Sequence, residues 1–244
     1  KTDYTSNSNG FIVGFDLPRT SGWKSGLAIG YTENNAGSSL QHDKGKTWSA
    51  AYYGNIRNGR NNLLADIGYS ETEHDITGTI TADPKTKIFT IGVRDELLYG
   101  QKEQAVVPHV GLRYLNIGDS AYTGKASGAD AFHYDTERRS VWLLPVGVGF
   151  THNQLQKNGG KLSFTGDLSY VSVMGGRTGH TTVTVPGINA SDDVSFDFMD
   201  RGSFLGSLGI RYEKQNISYG IGYSYQKGSS SESNRLMVNF NYRF

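Results

Sequence analysis

Two histidine–aspartate pairs are the residues of this chain best suited to acid–base chemistry. His42-Asp43 and His74-Asp75 each place an imidazole next to a carboxylate, and proteases use that combination to activate a nucleophile or a water molecule. Both pairs lie in polar segments that carry no further chemical signal. A histidine and an aspartate in such a segment are usually solvated, so this interpretation is favoured over a catalytic one.

The other chemical motifs are incomplete. Gly45-Lys46-Thr47 matches the end of a phosphate-binding loop, but the position that needs the first glycine is occupied by Leu40. The six histidines are spread over six segments and there is no cysteine, so neither a histidine-based metal site nor a thiolate site is expected. No Gly-x-Ser-x-Gly sequence marks a hydrolase serine. The sequence thus predicts no catalytic residue, no metal site and no cofactor.

The composition excludes several broad classes of protein. The chain has 244 residues, a formal net charge of +1 and a mean hydropathy of −0.48. A net charge close to zero gives no basic field, so nucleic acid is not an expected partner. No apolar run approaches the ~20 residues of a membrane-spanning helix. The length suits one large β domain that covers residues 1–244.

The last nine residues show most clearly the pattern that recurs along the chain. Apolar or aromatic side chains alternate there with mostly polar ones, which predicts a strand with one apolar and one polar face. The apolar set is Leu236, Val238, Phe240, Tyr242 and Phe244. It resembles the C-terminal assembly signal that the barrel-assembly machinery of outer membranes captures as an exposed edge strand, although the glycine common in that signal is absent. A terminal strand of a soluble sandwich would alternate in the same way, so this segment alone fits both structures.

Alternation with a period of two residues predicts about eleven strands. They are expected at residues 10–17, 25–32, 48–52, 63–70, 89–99, 107–114, 142–150, 161–170, 204–212, 217–225 and 236–244. Short turns alternate with long polar connections, which lie at 33–46, 73–85, 116–137, 175–200 and 226–234. Outer-membrane barrels alternate short periplasmic turns and long extracellular loops in this way.

Charged residues on the polar face decide between a soluble sheet and a membrane sheet. Alternation places on that face Asp16, Asp66, Arg113, Asp167, Arg211 and Arg243. An unpaired charge in a soluble core would cost several kcal/mol, whereas a membrane barrel has a polar lumen and an outer face in lipid. We expect these six side chains to face the lumen, where they pair across the pore or contact a pore helix or a hydrated passenger. Asp95 breaks the alternation, which predicts a bulge or an interface position there.

Three short motifs point to one family of barrels. They are Gly14-Phe15-Asp16 in the first strand, Pro108-x-x-x-Leu112-x-Tyr114 after a short turn, and the terminal Tyr242-x-Phe244. Together with the order of strands and loops over the whole chain, they resemble the C-terminal β-barrel translocator domain of type V (type Va) bacterial autotransporters. The resemblance implies a twelve-stranded antiparallel barrel in the Gram-negative outer membrane, in contact with lipid and assembled by the barrel-assembly machinery. It also implies an N-terminally linked passenger and no enzymatic activity.

The count and direction of the strands predict that the barrel is incomplete in these 244 residues. Single-chain bacterial barrels have an even number of strands, and eleven is odd. The long connection 226–234 before the last strand places the C-terminus in the periplasm, and stepping backwards through the strands places Lys1 and the passenger at the cell surface. We therefore expect the first strand of the family and its pore helix to lie upstream of Lys1 or to come from another chain.

Two other functions fit part of the sequence. A small porin or diffusion channel would show the same alternation of faces. A barrel protease of the omptin type would use a histidine–aspartate pair such as those described above, but the scattered histidines argue against it. The translocator is favoured because the resemblance covers the whole chain.

Overall fold

The computed structural model of the chain describes residues 4–101, 103–188 and 190–242. Within these residues the structure consists of sixteen strands. They are β1 (Thr5–Asp16), β2 (Trp23–Gly37), β3 (Gln41–Asn58), β4 (Asn61–Gly78), β5 (Lys85–Leu97), β6 (Tyr99–Gly100), β7 (Gln104–Asp119), β8 (Tyr122–Ala126), β9 (Ala129–Thr136), β10 (Arg139–Leu155), β11 (Lys161–Met174), β12 (Thr178–Val185), β13 (Ala190–Asp197), β14 (Gly202–Lys214), β15 (Ile217–Gly228) and β16 (Glu232–Tyr242). The described part of the chain has no helix that is long and apolar enough to cross a membrane.

Eleven of the described strands form one antiparallel sheet that curves into a half-barrel. Their order is β1-β2-β3-β4-β5-β7-β10-β11-β14-β15-β16, and the short strand β6 pairs with β7 beside this path. Each neighbouring pair on the path is antiparallel. The prediction of about eleven strands in an all-β antiparallel barrel is confirmed.

The outer face of the half-barrel carries a belt of exposed apolar side chains. Leu168 is 60% exposed, Leu208 is 70% exposed and Val238 is 79% exposed. The buried apolar side chains among the described residues are few, namely Ala82, Ala105, Ile117 and Val141. A sheet that exposes one apolar face and has almost no internal core suits a lipid environment better than water.

The two ends of the half-barrel differ in their connections. The short-turn end contains the tight turns at residues 59–60 and 215–216, and the opposite end, which we call the long-connection end, contains residues 120–138 and 175–201. Asp95 lies on the outer face near the short-turn end, two residues before β5 ends, and accepts a hydrogen bond of 3.3 Å from Asn61 Nδ2. The register between β4 and β5 is continuous at Asp95. The predicted bulge is therefore absent, and the position of Asp95 near the end of its strand agrees with the alternative prediction of an interface position.

Most of the long connections predicted as loops are strands. Residues 116–137 contain the hairpin β8–β9 and residues 175–200 contain the hairpin β12–β13, and together they form a four-stranded sheet in the order β13-β12-β9-β8. Residues 33–46 are also mostly strand, because β2 and β3 extend far beyond the apolar belt. Beyond the belt neither face meets lipid, so the alternation that identifies a strand in the sequence fades.

Neighbouring residues on β14 test the assignment of the two faces. Leu208 belongs to the outer belt, whereas Ser207 points inward and is paired in register with Asp167 on β11. We expect Leu208→Arg to reduce the free energy of unfolding by about 2–4 kcal/mol, the typical cost of a charge at the bilayer midplane. Ser207→Arg should cost far less, because its guanidinium meets water and the Asp167 carboxylate. Urea titrations of protein folded into lipid vesicles measure both values, and equal losses would mean that the faces are wrongly assigned.

Candidate functional site

The inner face of the half-barrel carries hydrogen-bonded charge pairs. Arg113 on β7 donates from Nη1 and Nη2 to the two carboxylate oxygens of Asp66 on β4, at 2.8 and 2.6 Å. Arg113 Nη1 also donates to Thr90 Oγ1 on β5, at 2.9 Å. A bidentate pair between guanidinium and carboxylate is geometrically specific, so these contacts fix three neighbouring strands relative to one another.

A second cluster surrounds Asp167 on β11. His109 Nε2 on β7 lies 2.6 Å from one carboxylate oxygen, and Ser169 Oγ donates to the other at 2.5 Å. Arg94 Nη2 approaches the same carboxylate from β5, at 3.8 Å. The His109 side chain is 1% exposed. No sequence motif marks His109, although alternation places it on the same face as Arg113.

The other residues predicted to face the lumen bond to partners that the sequence did not identify. Asp16 accepts a hydrogen bond of 3.2 Å from Tyr53 Oη, and Arg211 Nη2 donates to Ser218 Oγ at 2.7 Å. Arg243 lies outside the described residues. Of the six predicted residues, the structure thus brings together one pair, the Asp66–Arg113 pair described above.

Glycines on the intervening strands make two of these contacts possible. Gly92 on β5 lies in register between Asp66 and Arg113, and Gly26 on β2 lies between Asp16 and Tyr53. A Cβ atom at Gly92 would lie 2.7 Å from Arg113 Nη2, and one at Gly26 would lie 2.5 Å from the Tyr53 ring. The polar side chains therefore meet directly above a residue that must lack a side chain.

The two histidine–aspartate pairs of the sequence meet at the long-connection end in a combination that the sequence did not predict. His74 Nδ1 lies 2.9 Å from Asp43 Oδ2, and His74 Nε2 lies 3.2 Å from Thr86 Oγ1. Thr86 in turn donates to Asp119 Oδ1 at 2.7 Å. This cluster lies beyond the apolar belt, whose last side chain on β4 is Tyr69.

The chemistry of this cluster differs from that of a catalytic triad. Thr86 has a single hydroxyl proton and donates it to Asp119, so His74 does not activate it as a nucleophile. The hydrogen bond with Asp43 raises the pKa of His74, because a carboxylate stabilises the imidazolium form. In the described ranges no group of three or more His, Asp or Glu residues could hold a metal ion.

The half-barrel has an open seam between its first and last strands. In the described residues β1 pairs with β2 alone and β16 pairs with β15 alone. Eleven strands are joined by ten antiparallel pairings, so β1 and β16 run in the same direction. The residues predicted to form the assembly signal lie on the exposed outer side of β16, namely Leu236, Val238, Phe240 and Tyr242. Phe244 lies outside the described residues.

Residues 1–224 match a known protein family, the autotransporter beta-domain. The chain belongs to this family. The autotransporter β-domain is a translocator domain rather than an enzyme family. No curated protein matches the chain.

Solved structures of this family share the fold of the chain. The translocator domain of NalP from Neisseria meningitidis aligns with a TM-score of 0.79 and 15% identity, over 99% of this chain and 82% of that one. The β domain of the Bordetella autotransporter BrkA aligns with a TM-score of 0.68 and 15% identity, over 99% and 92%. The transport unit of AIDA-I from Escherichia coli aligns with a TM-score of 0.62 and 14% identity, over 99% of this chain and 84% of that one. At these identities the likeness establishes the fold alone.

A substitution at Gly92 tests whether the Asp66–Arg113 pair needs a residue without a side chain between its two strands. We expect Gly92→Ala to separate Asp66 from Arg113 and to lower the free energy of unfolding by about 1–2 kcal/mol, the scale of charge-assisted hydrogen bonds at a partly exposed site. Gly222→Ala is the matched control, since the nearest atom that its Cβ would meet is the Leu208 carbonyl oxygen at 3.7 Å. The measurement is urea unfolding in lipid vesicles. The effect of Gly92→Ala should shrink when Arg113 is already replaced by Ala, and equal effects of the two glycine substitutions would contradict the assignment.

Proposed function

We propose that this chain is the outer-membrane barrel of an autotransporter, which anchors a passenger linked to its N-terminal side and supports the export of that passenger to the cell surface. The observation that carries the proposal is a half-barrel with an apolar outer belt and a charged inner face in a chain of the autotransporter β-domain family. The belt is the lipid contact, and the inner face lines the path of the passenger. A porin would use the same two faces, but the family match favours export over diffusion.

We infer that one further strand closes the seam. A sheet edge in lipid leaves backbone N–H and C=O groups without partners, at a cost of several kcal/mol each. Since β1 and β16 run in the same direction, antiparallel pairing on both sides needs an odd number of added strands, and one gives the twelve strands expected of the family. This strand, preceded by a pore helix, comes from a further segment of the same polypeptide or from another chain.

The orientation that we propose follows from the lengths of the connections. The short-turn end faces the periplasm and the long-connection end faces the outside, as in bacterial barrels generally. The described end of β16, Tyr242, then lies on the periplasmic side, and the four-stranded sheet lies at the cell surface. Lys1, predicted to lie at the surface, is outside the described residues.

The barrel-assembly machinery is the partner that we propose for β16. The alternate aromatic and apolar side chains of β16 are exposed. In the described residues, the backbone edge of β16 that faces away from β15 is unpaired. We expect Phe244→Ser, or deletion of residues 242–244, to leave the chain unassembled in the periplasm. Asn241→Ser is the matched control, because it changes an inward polar side chain of the same strand. The measurement is heat-modifiable mobility on cold SDS gels of outer-membrane fractions. Normal folding of both Phe244→Ser and the deletion variant would contradict the proposal.

Cysteine pairs test the closing strand, because the chain contains no cysteine of its own. A strand between β1 and β16 sets their Cα atoms about 9–10 Å apart, beyond the ~4.4–6.8 Å that a disulfide spans. We therefore expect no oxidative cross-link between Ile12→Cys and a cysteine at Met237, Asn239 or Asn241 in the full-length protein assembled in the outer membrane.

The control for this experiment is a pair that the structure places side by side. Ser224 and Arg235 are direct partners across β15 and β16, so a cysteine at each position should oxidise to a disulfide. A cross-link from Ile12→Cys to any of the three β16 positions would show that β1 and β16 meet directly and that no strand separates them.

A further inference from the structure

A cavity of about 590 Å³ lies at the long-connection end of the half-barrel. One wall is formed by inward side chains of β3, β4, β5 and β7, and the other by the apolar face of the four-stranded sheet. We call the first wall the polar floor and define it by Asp43, His74, Thr86 and Asp119. The second is the aromatic roof, defined by Tyr122, Phe132, Tyr134 and Phe196. The volume of the cavity is that of a site for a small ligand. The export function proposed above does not use this cavity.

The hydrogen bonds of the floor fix where its protons lie. Thr86 donates its proton to Asp119, so its oxygen accepts from His74 Nε2, and His74 Nδ1 donates to Asp43. Both ring nitrogens of His74 therefore carry protons, which agrees with the raised pKa of this residue. Each floor carboxylate then has a cation beside it, since Arg139 Nη2 lies 2.8 Å from Asp119 Oδ2.

The charge balance of the floor decides between kinds of ligand. Because Asp43 and Asp119 are both neutralised by a paired cation, an incoming cation would gain little attraction. An incoming anion would gain as little, and the carboxylate oxygens of the floor could not donate a hydrogen bond to it. A wholly apolar ligand would cover the polar groups of the floor without bonding to them, which is costly. The floor suits a neutral ligand whose hydroxyl groups donate to the free lone pairs of the carboxylates.

The roof brings aromatic side chains to the other side of the cavity. Tyr122 and Tyr134 are stacked, with ring centroids 4.8 Å apart and planes inclined by 17°, and Phe132 lies 6.3 Å from Tyr134. Burial raises the pKa of both tyrosines, so their hydroxyl groups stay protonated. A ligand that fits both walls has one apolar face and a rim of hydroxyl groups.

An arginine links the roof to the floor. The guanidinium of Arg139, at the start of β10, is ion-paired with Asp119 of the floor. It also lies against the rings of Phe196 and Phe198, 5.4 and 5.2 Å from their centroids. The Arg139 side chain is only 9% exposed. The two walls are therefore fixed before any ligand arrives, which lowers the entropic cost of binding.

We propose that this cavity is a binding site for a neutral sugar ring, with the apolar face of a pyranose against Tyr134 and its hydroxyl groups donating to Asp43 and Asp119. Such a ring combines an apolar face and a hydroxyl rim in one small rigid ligand. It would reach the cavity from the side that we assign to the cell surface. The export function does not depend on this binding, so either can fail without the other.

The test uses the full-length protein in an amine-oxide detergent, which has no sugar headgroup to compete. The probes are methyl glucoside, methyl galactoside and methyl N-acetylglucosaminide, with N-acetyl-lysine amide as a cationic probe and cyclohexane-methanol as a mainly apolar one. Saturation-transfer NMR reports which probe protons contact the protein. We expect at least one sugar to bind, and Asp43→Asn to weaken its binding by about tenfold or more, the effect of losing a charge-assisted hydrogen bond. Tyr134→Ala should also weaken sugar binding, because it removes the ring against which the apolar face of the sugar packs.

Two further variants keep the result clear. Val183→Trp fills the cavity from the roof and leaves the floor intact, so it should also abolish sugar binding even if other variants fold poorly. Asp193→Asn is the control and should bind as the unaltered protein does, because alternation along β13 turns Asp193 away from the cavity that Val194 and Phe196 line. Competition with oligosaccharide released from lipopolysaccharide, and separately with glycopeptides, distinguishes the two sources of the ring. Stronger binding of the lysine or the apolar probe, sugar binding unchanged in Val183→Trp, or no sugar binding at all would overturn the proposal.

Discussion

The need of every backbone polar group for a partner is the constraint on which this structure depends. A strand in lipid has no water to bond to, and each unpaired N–H or C=O group costs several kcal/mol. The ten strand pairings inside the half-barrel satisfy the backbone groups between neighbouring strands. In the described residues, the outward edges of β1 and β16 have no strand paired with them. Because eleven antiparallel strands leave two edges that run in the same direction, the edges cannot satisfy each other in antiparallel fashion. Antiparallel closure of these edges thus requires an odd number of added strands, the outermost of which run opposite to β1 and β16.

The charges of the inner face obey a related rule. A carboxylate or a guanidinium in a narrow polar lumen is stable when an opposite charge or a hydrogen-bond donor lies close to it. Asp66 and Arg113 neutralise each other, and Asp167 is surrounded by His109, Ser169 and Arg94. A wall of balanced pairs holds neither sign of charge strongly, which suits the passage of an unfolded chain of mixed composition. The same pairs span three or more strands and stiffen the wall.

The strands of the main sheet could be predicted from the sequence because lipid imposes a period of two on their outer faces. Leu236, Val238 and Phe240 alternate for that reason, and so do their counterparts on the other strands. Register could not be predicted, since alternation is unchanged when a strand shifts by two residues. The pairing of Asp66 with Arg113 above Gly92, and of His74 with Asp43, depends on register. The four-stranded sheet was missed because its hairpins lie beyond the belt, and segments such as Thr178–Val185 show no lipid-facing side.

The position of the four-stranded sheet bears on how a passenger leaves the barrel. In the order of the main sheet β7 is the sixth of eleven strands, so it lies farthest from the seam. The cavity between the two sheets is lined by β3, β4, β5 and β7, and Arg139 ties the second sheet to β7 and β10. The second sheet therefore packs against strands in the middle of the main sheet, away from the seam. The strand that we propose to close the seam would end at the long-connection end beside β1 and β16. Neither of these two strands contributes a described residue to the lining of the cavity. We infer that the segment joining that strand to the passenger passes through the uncovered side of the mouth, and that the four-stranded sheet can stay in place during export.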